Sequence, residues 1–320
     1  MKKIVGKTAI FGCSTAGEIV TGRMLKNSVV CMVFDAETIE DVKIEVMENI
    51  KANTDVRAAF NNFDAHFKIH MAYMDFDKYA GLVLIDGLSG MEEKLMESIA
   101  SHTNLQFIGA SAGDDIKHNA TYVFADGSVY TKAALIVLLK IKSNFGFIKT
   151  QSFNILDKKM KATKVDESIR EVIEFNNKPA IEAYSEALGI TPEEAQLRFV
   201  TNPVGLVIDH ELYVRSPRKV ENESMLFYCN IKQGSELVLL ESTDIIEDTR
   251  NALKTKLAAS GKITGIINFN CIQRTLEMEE KNQIADYEKL FSDIPTIGFS
   301  TFGDELIYHI NQTATMLVFK

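Results

Sequence analysis

Three stretches bring a hydroxyl, a glycine main chain and a carboxylate within seven residues of one another: Gly12-Cys13-Ser14-Thr15-Ala16-Gly17-Glu18, Gly109-Ala110-Ser111-Ala112-Gly113-Asp114 and Gly298-Phe299-Ser300-Thr301-Phe302-Gly303-Asp304. All read Gly-x-Ser-[Thr/Ala]-(x)-Gly-acid, the middle copy one residue shorter. Backbone N–H groups and hydroxyls in such turns can cradle a carboxylate or phosphate. The same residues also make plain tight turns, where glycine takes φ > 0 and Ser or Thr satisfies local backbone groups. On the first reading Ser14, Thr15, Ser111, Asp114, Ser300, Thr301, Gly303 and Asp304 are ligand-binding candidates. Cys271 and Arg274 join them: an arginine fork grips carboxylates, and a neighbouring thiol can contact a ligand or sense redox state. Their alternative is structural, with Cys271 a small buried hydrophobe and Arg274 paired to Asp304 or Glu305.

Nucleophilic catalysis is the competing chemistry. Ser14 and Ser111 loosely match a Gly-x-Ser-x-Gly elbow, which would make an esterase or acyltransferase. That elbow needs its serine on a strand-to-helix turn with an acid and a histidine later in the chain. Loop and strand composition follows each turn instead, so no catalytic residue is expected. His66 and His70 have metal-ligand spacing only on a helix, whereas Phe67, Ile69 and Met71 alternate as in a strand. With no HExxH and no Cys/His cluster, no metal site is expected.

Positioning these residues falls to short apolar strands that run into each turn: residues 8–11, 105–108 and 294–297. Further strands are expected at 28–34, 42–47, 81–85, 129–141, 263–269 and 314–319, with helices near 54–63, 91–100, 180–188, 243–259 and 280–291. Asp126-Gly127 marks a hairpin, and Thr191-Pro192-Glu193-Glu194 a capped helix start. The two halves share one order: buried strand, polar turn, helix, strand, Gly-Ser-Gly turn, closing strand. Cys271 and Arg274 hold the place that Asp86 and Ser89 hold in the first half. This is internal duplication. It predicts an α/β protein of two related lobes, each a mixed β-sheet flanked by helices.

Composition narrows the classes. Hydrophobic residues at 46% and charged residues at 25% of 320 are those of a globular chain. A net charge of -9 argues against nucleic acid and anionic membranes as partners. No apolar run reaches a membrane span, and residues 1–7 carry charge without the apolar core of a signal peptide. Cys13, Cys31, Cys229 and Cys271 lack CxxC spacing, so they are read as reduced and the protein as cytoplasmic.

Gly12-Cys-Ser-Thr-Ala-Gly-Glu18, Ile108-Gly-Ala-Ser-Ala-Gly-Asp114, Cys271-x-x-Arg274, Gly298-Phe-Ser-Thr-Phe-Gly-Asp304 and Asn311-x-Thr313, in this order, resemble the FIST proteins over nearly the whole chain. The resemblance implies a FIST N-terminal domain at 1–172 and a FIST C-terminal domain at 173–320. Only eleven residues precede Gly12, so the first domain is expected to lack the family's usual first strand-helix unit. Asp304 stands where the family usually carries Glu. The function implied is signal input: a small polar ligand, with amino acids suggested for the family, bound without catalysis and read out by a separate signalling protein. No cofactor is expected, although haem-binding, nitric-oxide-sensing members make haem the alternative.

Overall fold

The computed structural model describes residue 6 and residues 8–320, so most of the charged opening at 1–7 lies outside the described residues. Two compact units emerge, and they do not follow chain order. One comprises residues 1–150, 249–309 and 314–320; the other comprises 151–248 and 310–313. Strands are numbered in chain order throughout.

The first unit carries the duplication as two six-stranded mixed sheets. In one, β5 (Tyr79–Ile85) runs parallel to β6 (Phe107–Ser111) and antiparallel to β9 (Ala134–Ile141), which pairs with β4 (Ile39–Met47). In the other, β19 (Gly265–Cys271) runs parallel to β20 (Thr296–Thr301) and antiparallel to β23 (Thr313–Phe319), with β10 (Phe145–Gln151) outside it. β5, β19 and β23 are buried along their whole lengths, as expected for strands covered on both faces. The registers superpose: Val83 faces Gly109 as Asn268 faces Gly298.

Each sheet is completed by a hairpin that follows one of the Gly-Ser turns. β2 (Glu18–Val20) and β3 (Arg23–Leu25) follow the first turn and add to β20. β21 (Asp304–Leu306) and β22 (Tyr308–Ile310) follow the third turn and add to β6. A small sheet joins β1 (Phe11–Cys13), β7 (Val123–Ala125) and β8 (Ser128–Tyr130). Its hairpin turns at Asp126-Gly127, both at positive φ.

Helices α1 (Arg57–Phe67) and α2 (Glu92–Ala100) bury Phe60, Phe63, Leu95, Met96 and Ile99 with Tyr79, Val83 and Phe107 of the first sheet. α2 opens with Glu92 and Glu93 in its first turn, where the helix dipole favours acids. The second unit is a β-sheet of β11 (Phe153–Asp166), β12 (Glu171–Phe175), β13 (Lys178–Pro179), β14 (Val204–Ile208), β15 (Glu211–Arg215), β16 (Pro217–Glu221), β17 (Ser224–Phe227) and β18 (Glu236–Ser242). Against it pack α3 (Ala180–Leu188), ended by Gly189 in the left-handed conformation, and α4 (Pro192–Ala195), capped by Thr191 and Glu194. The chain returns through α5 (Ile245–Ser260), α6 (Ile272–Glu280) and α7 (Ile284–Leu290).

Several expectations shift. Residues 28–34 form no strand; Val29 and Val33 are 86% and 80% exposed, so an apolar run here has no sheet to join. The strand expected over 129–141 breaks after Tyr130, because Lys132 adopts positive φ and gives its N–H to Asp86. His66 and His70 do separate, but at a helix end: α1 continues through Phe67, Lys68 caps it in the left-handed region, and His70 lies beyond. The polar turn expected after β19 is absent, since α6 starts directly and carries Arg274 in its first turn.

Gly109 and Gly298 show why glycine starts the turn motif. A Cβ on either would lie 1.8 or 1.9 Å from the facing carbonyl oxygen of Val83 or Asn268. At Gly12 the nearest atom would be Phe124 Cδ2 at 3.9 Å. Gly109→Ala and Gly298→Ala are therefore expected to destabilise by about 3 kcal/mol or more, and Gly12→Ala by less than about 0.5 kcal/mol. Urea unfolding of the three variants checks this ranking.

Candidate functional site

The three turns meet in the first unit. Ala16 N–H donates to Ser300 O and Ser300 N–H to Gly17 O; correspondingly, Phe302 N–H donates to Ser111 O and Ser111 N–H to Gly303 O. Gly113 N–H donates to Ser14 O, tying the first turn to the second. Gly17 has φ 142°, which excludes most side chains, and a Cβ there would press on Leu25 O at 3.2 Å. The Ser-Thr-x-Gly-acid segments are equivalent in detail: Thr15 Oγ1 donates to Glu18 Oε1 at 2.5 Å, and Thr301 Oγ1 to Asp304 Oδ1 at 2.7 Å. None of the turns opens a helix.

Beneath this junction, at the carboxyl ends of β19 and β20, lies a buried polar network. Arg274 is 1% exposed; its Nε donates to Asn270 Oδ1 at 3.1 Å and its Nη2 to Thr249 Oγ1 at 3.0 Å. Asn270 Nδ2 donates to Thr275 Oγ1, which shares a 2.8 Å hydrogen bond with Ser300 Oγ. Tyr287 Oη donates to Asn270 Oδ1 and accepts from Asn268 Nδ2. Burial pushes the Tyr287 phenol above its ordinary range, Arg274 pulls it down, and Asp304 raises it. Cys271, buried at the end of β19, precedes the first residue of α6.

The equivalent position at the ends of β5 and β6 holds different chemistry. Ser111 Oγ donates to Glu305 Oε1 at 3.2 Å and lies 3.5 Å from Glu92 Oε1. His309 Nδ1 lies 2.9 Å from the same Glu305 oxygen. Ser111, Glu92, Glu305 and His309 are all buried. Burial raises the Glu305 pKa, the His309 imidazole opposes this, and Glu92 and Glu93 add to it. Its second oxygen, Oε2, has no hydrogen-bond partner among the described residues. Ser111 and His309 thus converge on a carboxylate, a different order from a serine activated by an imidazole. A Cβ on Gly303 would sit 2.3 Å from His309 Cε1 and 3.0 Å from Nε2, so this edge of the imidazole packs on main chain.

The structure thus brings together Arg274, Cys271, Ser300, Thr301, Asp304, Gly303 and Ser111 around one junction. Thr15 joins it through the first turn. Ser14 and Asp114 are absorbed in loop structure: Tyr122 N–H donates to Ser14 Oγ, and Asp114 accepts N–H bonds from Lys117, His118, Asn119 and Ala120. Burial works against ionisation of Asp114, but those four donors outweigh it and hold its pKa low. Asn311 sits in the second unit, accepting from Ser216 N–H and Cys229 Sγ. Glu92 and His309 do not stand out by sequence, and Glu305 does so only as a structural acid for Arg274. The signal for Glu305 was available: the third turn reads Asp304-Glu305 where the first reads Glu18-Ile19.

A mixed α/β architecture, duplicated sheets and Gly-Ser turns joined at strand ends define the class. The FIST N domain matches residues 1–178 and the FIST C domain residues 180–305, and the chain belongs to the FIST family. FIST domains are associated with sensory roles in signal transduction. The first match starts at residue 1 of the chain. No curated protein matches the chain. No helix among the described residues is long and apolar enough to cross a membrane.

Two consequences follow. Arg274→Ala is expected to destabilise by about 3 kcal/mol or more, because it strands buried partners and leaves a cavity; chemical denaturation measures it. Glu305 has its pKa raised from 4.5, so the folded state keeps a proton that the unfolded state loses. Stability then falls as pH rises from about 4.5 through the folded pKa. Glu305→Gln removes that loss, so its stability relative to the parent should increase with pH across this window.

Proposed function

We propose that this chain is a sensor that binds a small polar metabolite, such as an amino acid, without catalysing its turnover and signals through a separate output protein. The observation that carries this reading is the convergence of the three turns over two buried polar clusters. In open α/β sheets, ligands bind outside the carboxyl ends of strands, where side chains and turn amides meet. Here both parallel pairs end in such groups, with a network around Arg274 at one and an acid–imidazole–hydroxyl cluster at the other. Because the turns hydrogen-bond each other in both directions, a ligand that shifts one turn acts on the hairpins of both sheets. That coupling is what a signal between the two hairpins would use.

Binding is supported over hydrolysis by the placement of the serines. Ser111 faces carboxylates and Ser14 accepts a main-chain N–H. The test is thermal unfolding against a panel of amino acids and other small polar metabolites. A ligand at a hundred times its Kd should add about 2.7 kcal/mol of stability. Ser300→Ala and Thr301→Val should weaken that gain while leaving the fold intact. A panel without effect, together with turnover of a generic ester that vanishes in Ser111→Ala, would replace sensing with catalysis.

A further inference from the structure

Glu305 occupies a position that the duplicated fold fills with an apolar residue in its other copy. In one sheet Glu305 lies opposite Gly109; in the other, Ile19 lies opposite Gly298. The two glycines are equivalent in register, in the turn motif and in their close approach to the facing carbonyl. Ile19 is 2% exposed and Glu305 is 0% exposed. One backbone environment therefore accepts isoleucine in one copy and carries a carboxylate in the other, so the fold itself does not require the acid.

Burying a carboxylate with one oxygen unsatisfied is costly, on the order of 1–3 kcal/mol for the missing hydrogen bond and more when the group is charged. Glu305 has only half of its acceptor capacity used: Oε1 serves Ser111 and His309, and Oε2 serves nothing among the described residues. The neighbouring side chains set the polarity around Oε2. Glu92 Oε1 lies 3.5 Å from the same Ser111 hydroxyl, and Glu92 and Glu93 both act on Glu305 as like charges. A group complementary to this arrangement donates N–H bonds and carries positive charge.

The geometry points to an ammonium-binding site at Glu305, in which Oε2 accepts from the amine of a small ligand while Ser111 and His309 hold Oε1. This rests on the sensory reading above and deepens it by naming the chemical class of the ligand: a primary amine, as in an amino acid or a diamine. The opposite copy explains the asymmetry. There the polar cluster contains a resident cation, Arg274, whose place in the duplicated fold is held here by Ser89. The fold carries one copy with an arginine built in and one that takes an ammonium group from solution to add to His309. Enclosure of Glu305 means that entry requires local opening, so binding is slow.

The experiment is thermal unfolding of the full chain after prolonged incubation with methylammonium chloride, 1,4-diaminobutane or individual L-amino acids. Potassium chloride and sodium acetate at matched ionic strength serve as controls. The parent, Glu305→Gln and Glu305→Ile are compared, with circular dichroism reporting the fold. At least one amine should stabilise the parent while both salts do not. Glu305→Gln and Glu305→Ile should fold and bind that amine roughly ten- to a hundredfold more weakly, the effect of losing a charge-assisted hydrogen bond. The inference is overturned if no amine stabilises the parent, if Glu305→Gln retains the full shift, or if neither variant folds. A metabolite without an amine that stabilises parent and variants alike would sink it and leave the sensory reading standing.

Discussion

Main-chain hydrogen bonds exchanged between the Gly-Ser turns hold the first unit together. Ser300 gives and receives across Ala16 and Gly17, and Ser111 does the same across Phe302 and Gly303. Each sheet is thus closed by a hairpin whose turn originates elsewhere: β2–β3 on β20, and β21–β22 on β6. Residues far apart in the chain must meet before either sheet is complete. Gly109 and Gly298 permit this by letting each parallel pair approach more closely than any side chain would allow.

The same constraint assigns the chemistry. Alternation along β21 sends adjacent residues to opposite faces, so Asp304 bonds Thr301 while Glu305 bonds Ser111 and pairs with His309. One three-residue strand therefore supplies a carboxylate to each polar cluster. Around Arg274 the amide, hydroxyl and phenol groups form a continuous network, whereas the Glu305 cluster leaves a buried acceptor open. Identical scaffolding thus carries polar groups that are unequally satisfied in its two copies.

Much of this architecture was legible in the amino-acid order. Repeated Gly-x-Ser turns exposed the duplication, the buried strands at β5 and β19 showed as apolar runs, and the place of Cys271 and Arg274 opposite Asp86 and Ser89 follows from spacing alone. What was hidden is long-range. Nothing local says that the segment 28–34 finds no strand to pair with, or that Asp86 captures the Lys132 N–H and breaks β8 from β9. Arg274 has the composition of a ligand fork, but burial and the approach of Asn270 and Thr249 are tertiary facts. Glu305 reads by sequence as a structural acid for Arg274; its place beside Ser111 emerges only when β21 is laid against β6.

Native mass spectrometry of the full chain, before and after incubation with a small-molecule extract, tests the central claim that this is a binding protein. The account predicts a discrete adduct of a small polar, amine-bearing molecule on the parent protein, lost in Glu305→Gln. The bare chain mass under every condition, with the protein folded, would contradict it.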